Sequence, residues 1–260
     1  MFETLEILRD GGVATVWMNR PDRQNAFNAQ AIAELAQAFA CLAADADVRA
    51  VALAGRGKSF SAGADLNWMK AAGEARFEDN LDDARKLSRM LRALADMPKP
   101  TVARVQGAAL GGGMGLAAAC DICIAATTAS FATSEVKFGL IPSAIGPYVL
   151  RAIGPRQAAR YFLSAERIAA AKAKEIGLVH EVVEPDALDG AVREQLALLM
   201  DGGPVAQAEA KRLIRDLAGK SVDDALAEET AQRIARLRMG GEAREGLTAF
   251  LEKRSPCWST

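Results

Sequence analysis

Three consecutive glycines, Gly111, Gly112 and Gly113, stand between a short apolar run and an alanine-rich segment that favours helix. Glycine has no Cβ, so a ligand can lie directly against its backbone. The first N–H groups of a helix have no partner inside it, and the helix dipole places partial positive charge there. Such an end suits a developing negative charge held by backbone amides. Further along comes Glu135, an acidic residue in the mostly apolar stretch Phe131-Ala-Thr-Ser-Glu135-Val. Burial there would raise its carboxyl pKa from the usual ~4.3 toward neutrality. Amide donors plus one carboxylate base are the equipment for forming and protonating an enolate.

These groups need elements to hold them. Residues 2–8 and 13–18, with Asp10-Gly11-Gly12 between them, read as a β-hairpin. A polar loop, 19–25, follows. Asn28 is placed to cap a helix whose apolar positions are Ile32, Leu35, Phe39 and Leu42. Residues 49–54 read as a short buried strand. A glycine-rich loop, 55–65, leads into a helical turn at Leu66 that Asp65 can cap. A second amphipathic stripe, Leu81 to Leu94, ends at Pro98 and Pro100. Residues 101–105 form a strand leading into the glycine triplet, and 122–126 a further buried strand. Helix is expected at 147–153, 156–163 and 169–176, the last closed by Gly177, and a strand at 178–183. From residue 185 the pattern is helical, at 185–200, 204–217, 221–239 and 242–253. Strand–helix alternation implies buried parallel strands. The expected division is a core over 1–190 that carries the site and a helical region over 191–260 that packs on the core or on a neighbouring subunit.

The chain has 260 residues, 50% of them apolar, and a net charge of −1. Neither excess basic nor excess acidic charge points to nucleic acid or a charged surface partner. The N-terminus carries no secretory pattern, and no apolar run approaches the roughly 20 residues of a membrane helix. The expectation is a soluble, cytoplasmic protein. Cys120-Asp-Ile-Cys123 has a redox or metal spacing, but a buried strand there would turn the two thiols to opposite faces. With His180 the only histidine, a zinc shell is hard to fill, and no metal site is expected. His180 itself reads as a satisfied structural residue in an apolar strand, and Trp68, Met69, Phe138 and Tyr148 read as core.

One ordered set of motifs carries a resemblance over nearly the whole chain. It comprises Met18-Asn-Arg-Pro21, Asn25-Ala26, Phe60-Ser-Ala-Gly63-Ala64-Asp65-Leu66, Lys99-Pro100, Gly107-Ala-Ala-Leu-Gly-Gly-Gly113, Cys120-Asp121, Glu135 with Gly139-Leu-Ile-Pro142, and Phe250-Leu-Glu-Lys-Arg254. Together these resemble the crotonase superfamily, the enoyl-CoA hydratase/isomerase family. The resemblance implies an α/β fold, a crotonase-like spiral of ββα units with a C-terminal α-helical region, assembled as trimers or as hexamers made of two trimers. It implies an acyl-CoA thioester as ligand, with coenzyme A part of the substrate and no separate cofactor. The N–H groups of Ala64 and Gly112 would hold the thioester oxygen, and Glu135 would be the acid/base. Ala62, Asp65 and Leu66 would cradle the adenine end. Arg23, Gln24 and Ala26 would lie along the coenzyme, and Lys253 would reach its phosphates. Leu110, Gly111, Gly115, Ser134, Phe138 and Ser143 complete the implied substrate site.

Two departures matter. The family's second glutamate would fall at Gly115, where its absence is expected to open space and remove a negative charge. Ser143-Ala-Ile-Gly-Pro-Tyr148 replaces a loop usually richer in glycine. The flanking residues are most similar to bacterial methylglutaconyl-CoA hydratases, which implies hydration of an enoyl-CoA, with 3-methylglutaconyl-CoA of leucine or terpene breakdown as substrate. The alternative is a Δ3,Δ2-enoyl-CoA isomerase, which needs only one glutamate. A dinucleotide site is suggested by Gly113-Met-Gly115-Leu-Ala-Ala118, but Glu135 lies well beyond the next strand. A helical interaction module rests on residues 185–260 alone, and a Ser-His-Asp hydrolase lacks its G-x-S-x-G.

Overall fold

The computed structural model describes residues 2–259; Met1 and Thr260, the outermost residues of the two expected segments, lie outside them. In chain order the strands are β1 (Leu5–Asp10), β2 (Val13–Met18), β3 (Ala50–Gly55), β4 (Thr101–Val105), β5 (Ala108–Leu110), β6 (Ile122–Ala126), β7 (Ser130–Ala132), β8 (Ile168–Ala169) and β9 (Glu181–Val183). The helices are α1 (Ala29–Ala44), α2 (Leu66–Glu74), α3 (Phe77–Ala95), α4 (Gly112–Ala119), α5 (Gly146–Ser164), α6 (Ala170–Glu175), α7 (Leu188–Met200), α8 (Pro204–Leu217), α9 (Asp224–Arg238) and α10 (Gly241–Glu252).

The expected hairpin forms, with β1 antiparallel to β2 from Leu5 opposite Met18 to Asp10 opposite Val13. The other pairings in its sheet are parallel, and the strand order is β1-β2-β3-β4-β6-β9. Every residue of β3, Ala-Val-Ala-Leu-Ala-Gly, is buried, as a strand covered on both faces requires. A small second sheet, β5-β7-β8, stands beside the first and carries the segments that lead to the glycine triplet and to Glu135.

One face of the large sheet is covered by α1, α3 and α4. The Asn28 side chain accepts the Ala31 N–H at 2.9 Å and starts α1, whose Ile32, Leu35, Phe39 and Leu42 are all buried. Met90, Leu91 and Leu94 of α3 join the same core. The other face is covered by α7, which sets Leu188, Val192 and Leu196 against Ala50, Ala52, Val102 and Ile124. Residue 190 therefore lies inside a helix that packs on the sheet. The helices expected at 147–153 and 156–163 are two arms of α5, bent at Gly154-Pro155.

The C-terminal helices differ from the core. Helices α8 and α9 bury none of their residues, and α10 buries only Ala249. Ile214, Ile234, Leu247, Phe250 and Leu251 all stand exposed in the single chain. Glu242 of α10 accepts the Val205 and Ala206 N–H groups at 2.9 and 2.8 Å, so it caps the start of α8.

Two expectations change here. His180 lies just before β9 and is exposed, because the strand begins only at Glu181. It is nevertheless paired: its Nδ1 accepts the Cys123 N–H at 3.1 Å and its own N–H donates to the Cys123 carbonyl at 2.9 Å. Phe138 is exposed rather than core, on the turn that follows Glu135. Cys120 and Cys123 are buried free thiols; burial pushes Cys123 up to about 12 and Cys120 well above its ordinary value, which makes both poor nucleophiles. Among the described residues no helix is long and apolar enough to cross a membrane, and no group of acidic, histidine and cysteine side chains could hold a metal.

Candidate active site

Two glycine loops and one acidic turn meet at the start of α4. The first loop, ending in Gly63-Ala64-Asp65, is stitched to β5: Ser61 N–H donates to the Ala108 carbonyl at 3.0 Å, and Leu110 N–H to the Ser61 carbonyl at 2.9 Å. It is also tied to Phe27, whose N–H donates to the Gly63 carbonyl and whose carbonyl accepts the Asp65 N–H, both at 2.7 Å. That ladder uses the groups on either side of Ala64 and leaves the Ala64 N–H out of it. Gly63 has φ +91, and a Cβ there would fall 2.7 Å from the Leu110 carbonyl oxygen, so only glycine lets the loops approach.

The second loop turns at Gly111, with φ +49. Its N–H is already committed to the Ala132 carbonyl at 2.8 Å. Gly112 is the first residue of α4, so its N–H has no helical partner and carries the positive end of the dipole. A Cβ at 112 would fall 2.5 Å from a ring carbon of buried Phe27, which seats this helix end. The two N–H groups assigned from the resemblance, on Ala64 and Gly112, thus have no backbone partner among the described residues and sit on two adjoining loops.

Glu135 begins a single turn of 3-10 helix, Glu135–Phe138, directly after β7. A Cβ on Gly111 would come within 3.2 Å of Glu135 Oε1 and 4.0 Å of Gly63 Cα, so the carboxylate lies over the junction of both loops. Its Oε2 is buried and has no hydrogen-bond partner among the described residues. Burial pushes the Glu135 carboxyl pKa upward, opposed only by its own N–H. A partly desolvated carboxyl with one unused oxygen beside uncommitted amides can exchange protons with a ligand seated there.

Asp65 holds the first loop from behind. It accepts the Asn67 N–H at 3.0 Å, capping α2 as expected, and pairs with Arg20 at 3.2 Å. Arg20 also donates to the Ala26 carbonyl. Burial opposes the Asp65 charge, but these partners outweigh it and hold the carboxyl below its ordinary value. The Arg20 link was not legible in the sequence, because nothing local couples residue 20 to residue 65. Arg23 and Gln24 are exposed at the rim, where the Gln24 carbonyl accepts the Ala62 N–H at 2.9 Å, while Ala26 is buried. Ala62, Leu110 and Ser134 are half-buried beside these groups, and Leu66, Phe138 and Ser143 are exposed. Lys253 is exposed at the end of α10, which packs against α9.

Gly115 corrects the expectation drawn from its missing side chain. It is buried, and a Cβ there would fall 2.7 Å from Ile145 Cβ and closer still to Ile145 Cγ2. The absent carboxylate leaves no opening, because Ile145 fills the place. Sequence reasoning missed Ile145, since it sits in a loop with no periodic signal.

The family model described as Enoyl-CoA hydratase/isomerase matches residues 9–260. The short-chain-enoyl-CoA hydratase of Clostridium acetobutylicum is 36% identical over 252 residues, spanning 95% of this chain and 94% of its own length. The crotonyl-CoA hydratase of Syntrophomonas wolfei is 35% identical over 257 residues, spanning 97% and 96%. Among solved structures, an enoyl-CoA hydratase from Shewanella pealeana superimposes with a TM-score of 0.96 at 43% identity, covering 99% of this chain and 97% of that one. That likeness extends over the α/β spiral and the C-terminal helices together.

Proposed function

Because the chain belongs to the enoyl-CoA hydratase/isomerase family, we propose that it adds water across the 2,3-double bond of an enoyl-CoA thioester. The observation that carries this reading is the Glu135 carboxyl lying over Gly111 with Oε2 unpartnered, beside the uncommitted N–H groups of Ala64 and Gly112. The thioester oxygen accepts from both amides, which stabilise the charge that gathers on it. Glu135 takes a proton from water, the hydroxyl oxygen bonds to C3, and the double-bond electrons move onto the thioester as an enolate. The same carboxyl then returns the proton to C2. Coenzyme A is part of the substrate, and the reaction as proposed uses no cofactor. Arg23, Gln24, Ala62, Asp65 and Leu66 are proposed along the coenzyme, with Lys253 reaching its phosphates.

The proposed acyl group is branched and carries its own carboxylate, as in 3-methylglutaconyl-CoA. Two carboxylates about 4 Å apart at an effective dielectric of about 20 repel by about 4 kcal/mol, and Gly115 removes one such charge. The room for the substrate's acid is not at Gly115 itself, so it is assigned to the mouth, near exposed Ser143. The exposed apolar side chains of α8, α9 and α10 support assembly of this chain into trimers or pairs of trimers, measurable by light scattering.

A second reading, isomerisation of a 3-enoyl to a 2-enoyl thioester, is favoured by Ile145, since a proton shuttle needs no second carboxylate. A panel of enoyl-CoA thioesters with products analysed by mass separates the two. Hydration adds the mass of water; isomerisation adds none. No conversion of any thioester would end both readings.

A further inference from the structure

Gly111 and Gly115 are joined across one turn at the start of α4, the Gly115 N–H donating to the Gly111 carbonyl at 3.0 Å. A Cβ at 111 would meet the Glu135 carboxylate, and one at 115 would meet Ile145. Glu135 and Ile145 are therefore the neighbours of two positions bonded to each other across one turn, and α5 packs against the Glu135 turn. Ile145 is 2% exposed. Its carbonyl accepts the Tyr148 and Val149 N–H groups, both at 3.1 Å, so the first turn of α5 fixes its place.

We propose that Ile145 is a specificity-determining residue, filling with hydrocarbon the place beside Glu135 that a second carboxylate would need and so confining the site to one acid/base group. This rests on the reading of Glu135 as that group. The wall next to Glu135 is then apolar, water there has one protein anchor instead of two, and a charged end of an acyl chain must point elsewhere. The ionisable groups on the surrounding elements are Lys137 on the turn itself, Tyr148, Arg151, Arg156, Arg160 and Tyr161 on α5, and Arg56, Lys58 and Asp65 on the first glycine loop; α4 carries none. None of them contributes to the upward shift of Glu135, which comes from burial.

The test compares wild type, Gly115→Ala, Ile145→Ala and the double variant by thermal unfolding without substrate. Gly115→Ala is expected to lower Tm by roughly 3–10 °C in the wild-type background, because the new Cβ meets Ile145. In the Ile145→Ala background the loss should be clearly smaller, since the Cγ2 contact is gone and only the Cβ of residue 145, 2.7 Å away, has to shift. With substrate, Ile145→Ala is expected to move the kinetic pKa of Glu135-dependent turnover downward as water enters. Gly115→Glu combined with Ile145→Ala should raise hydration relative to isomerisation at least about tenfold. If Ile145→Ala does not fold, Ile145→Leu removes the Cγ2 that meets position 115 at nearly constant volume and serves the Tm comparison, which then decides alone. Equal Tm losses in both backgrounds, or an unmoved pH profile and product ratio in a folded variant, overturn the proposal. A wild type that converts no enoyl thioester defeats the functional reading instead, while the Tm comparison still decides whether Ile145 holds the place.

Discussion

Two glutamates in this molecule are taken out of water, and their surroundings treat them in opposite ways. Glu34 on α1 accepts the Glu3 N–H at 2.9 Å, the Thr4 N–H at 2.8 Å, the Thr4 hydroxyl at 2.6 Å and the Gln30 amide at 2.8 Å. Burial works against its charge, but the sum of these donors brings its pKa down to about 2. Glu135 is removed from water without such donors; one oxygen has no partner, and its pKa moves up. Burial alone thus does not decide what a carboxylate is for. The donors around it do: a satisfied one ties the N-terminal segment to α1, and an unsatisfied one is left with a proton to exchange.

The largest expected effect lies at Glu135. Glu135→Gln keeps the shape and removes the base, and kcat is expected to fall at least roughly a hundredfold with thioester binding retained. Glu34→Gln should leave kcat within about threefold, since it stands on α1, in none of the loops that meet at α4. Near wild-type turnover in Glu135→Gln would break the contrast at its functional end.

The next effect is on stability and belongs to Glu34. Glu34→Ala strands the Glu3 and Thr4 donors, for an expected loss of about 2–4 kcal/mol in denaturant unfolding. The folded pKa lies below the unfolded one. The stabilisation is therefore fully present above the ordinary carboxyl pKa of about 4.5 and fades as pH falls toward about 2. A variant as stable as wild type at pH 7 would show that these hydrogen bonds are no better than those to water.

Much of this was legible in the sequence, and the division is physical. The α1 cap at Asn28, the α2 cap at Asp65, the hairpin turn at Gly11 and the parallel strands follow from local periodicity and turn chemistry. The glycine triplet and Glu135 could be picked out because helix ends and acidic residues in apolar runs are rare and chemically specific. What stayed hidden depends on distant packing. Arg20 reaches Asp65, Phe27 seats Gly112, and Ile145 fills the place at Gly115, and no spacing rule links any of these pairs. An absent side chain reads in sequence as a vacancy; in a close-packed interior a neighbour has taken it.

Asp65 offers a sharper, smaller probe, because its carboxylate is satisfied like that of Glu34 yet sits beside the site of Glu135. Asp65→Asn keeps an oxygen for the α2 cap and removes the charge that pairs with Arg20. The Ala64 N–H is then held less rigidly, and kcat should fall about tenfold, with Tm changed by less than about 3 °C. Unchanged kcat would mean that the Phe27 ladder alone positions Ala64.

The smallest effect tests the comparison most directly, because it concerns the stability of the resting protein rather than its turnover. A glutamine at 135 has no ionisation, so its stability is indifferent to this group. Below the ordinary carboxyl pKa, wild type and Glu135→Gln both carry a neutral side chain there and should unfold at the same temperature. As pH rises through the raised folded pKa of Glu135, wild type must hold a charged carboxylate whose Oε2 is buried and unpartnered, and it loses stability. The variant should therefore unfold at a higher temperature than wild type above neutral pH, by less than the Glu34 effect, with the gap closing toward pH 4. Glu34→Gln should behave in the opposite sense, less stable than wild type at neutral pH and converging with it as pH falls toward about 2. If the Glu135→Gln gap is independent of pH, or if that variant is the less stable protein at pH 8, then the charge at Glu135 is already compensated in the free protein and the two carboxylates do not differ in kind.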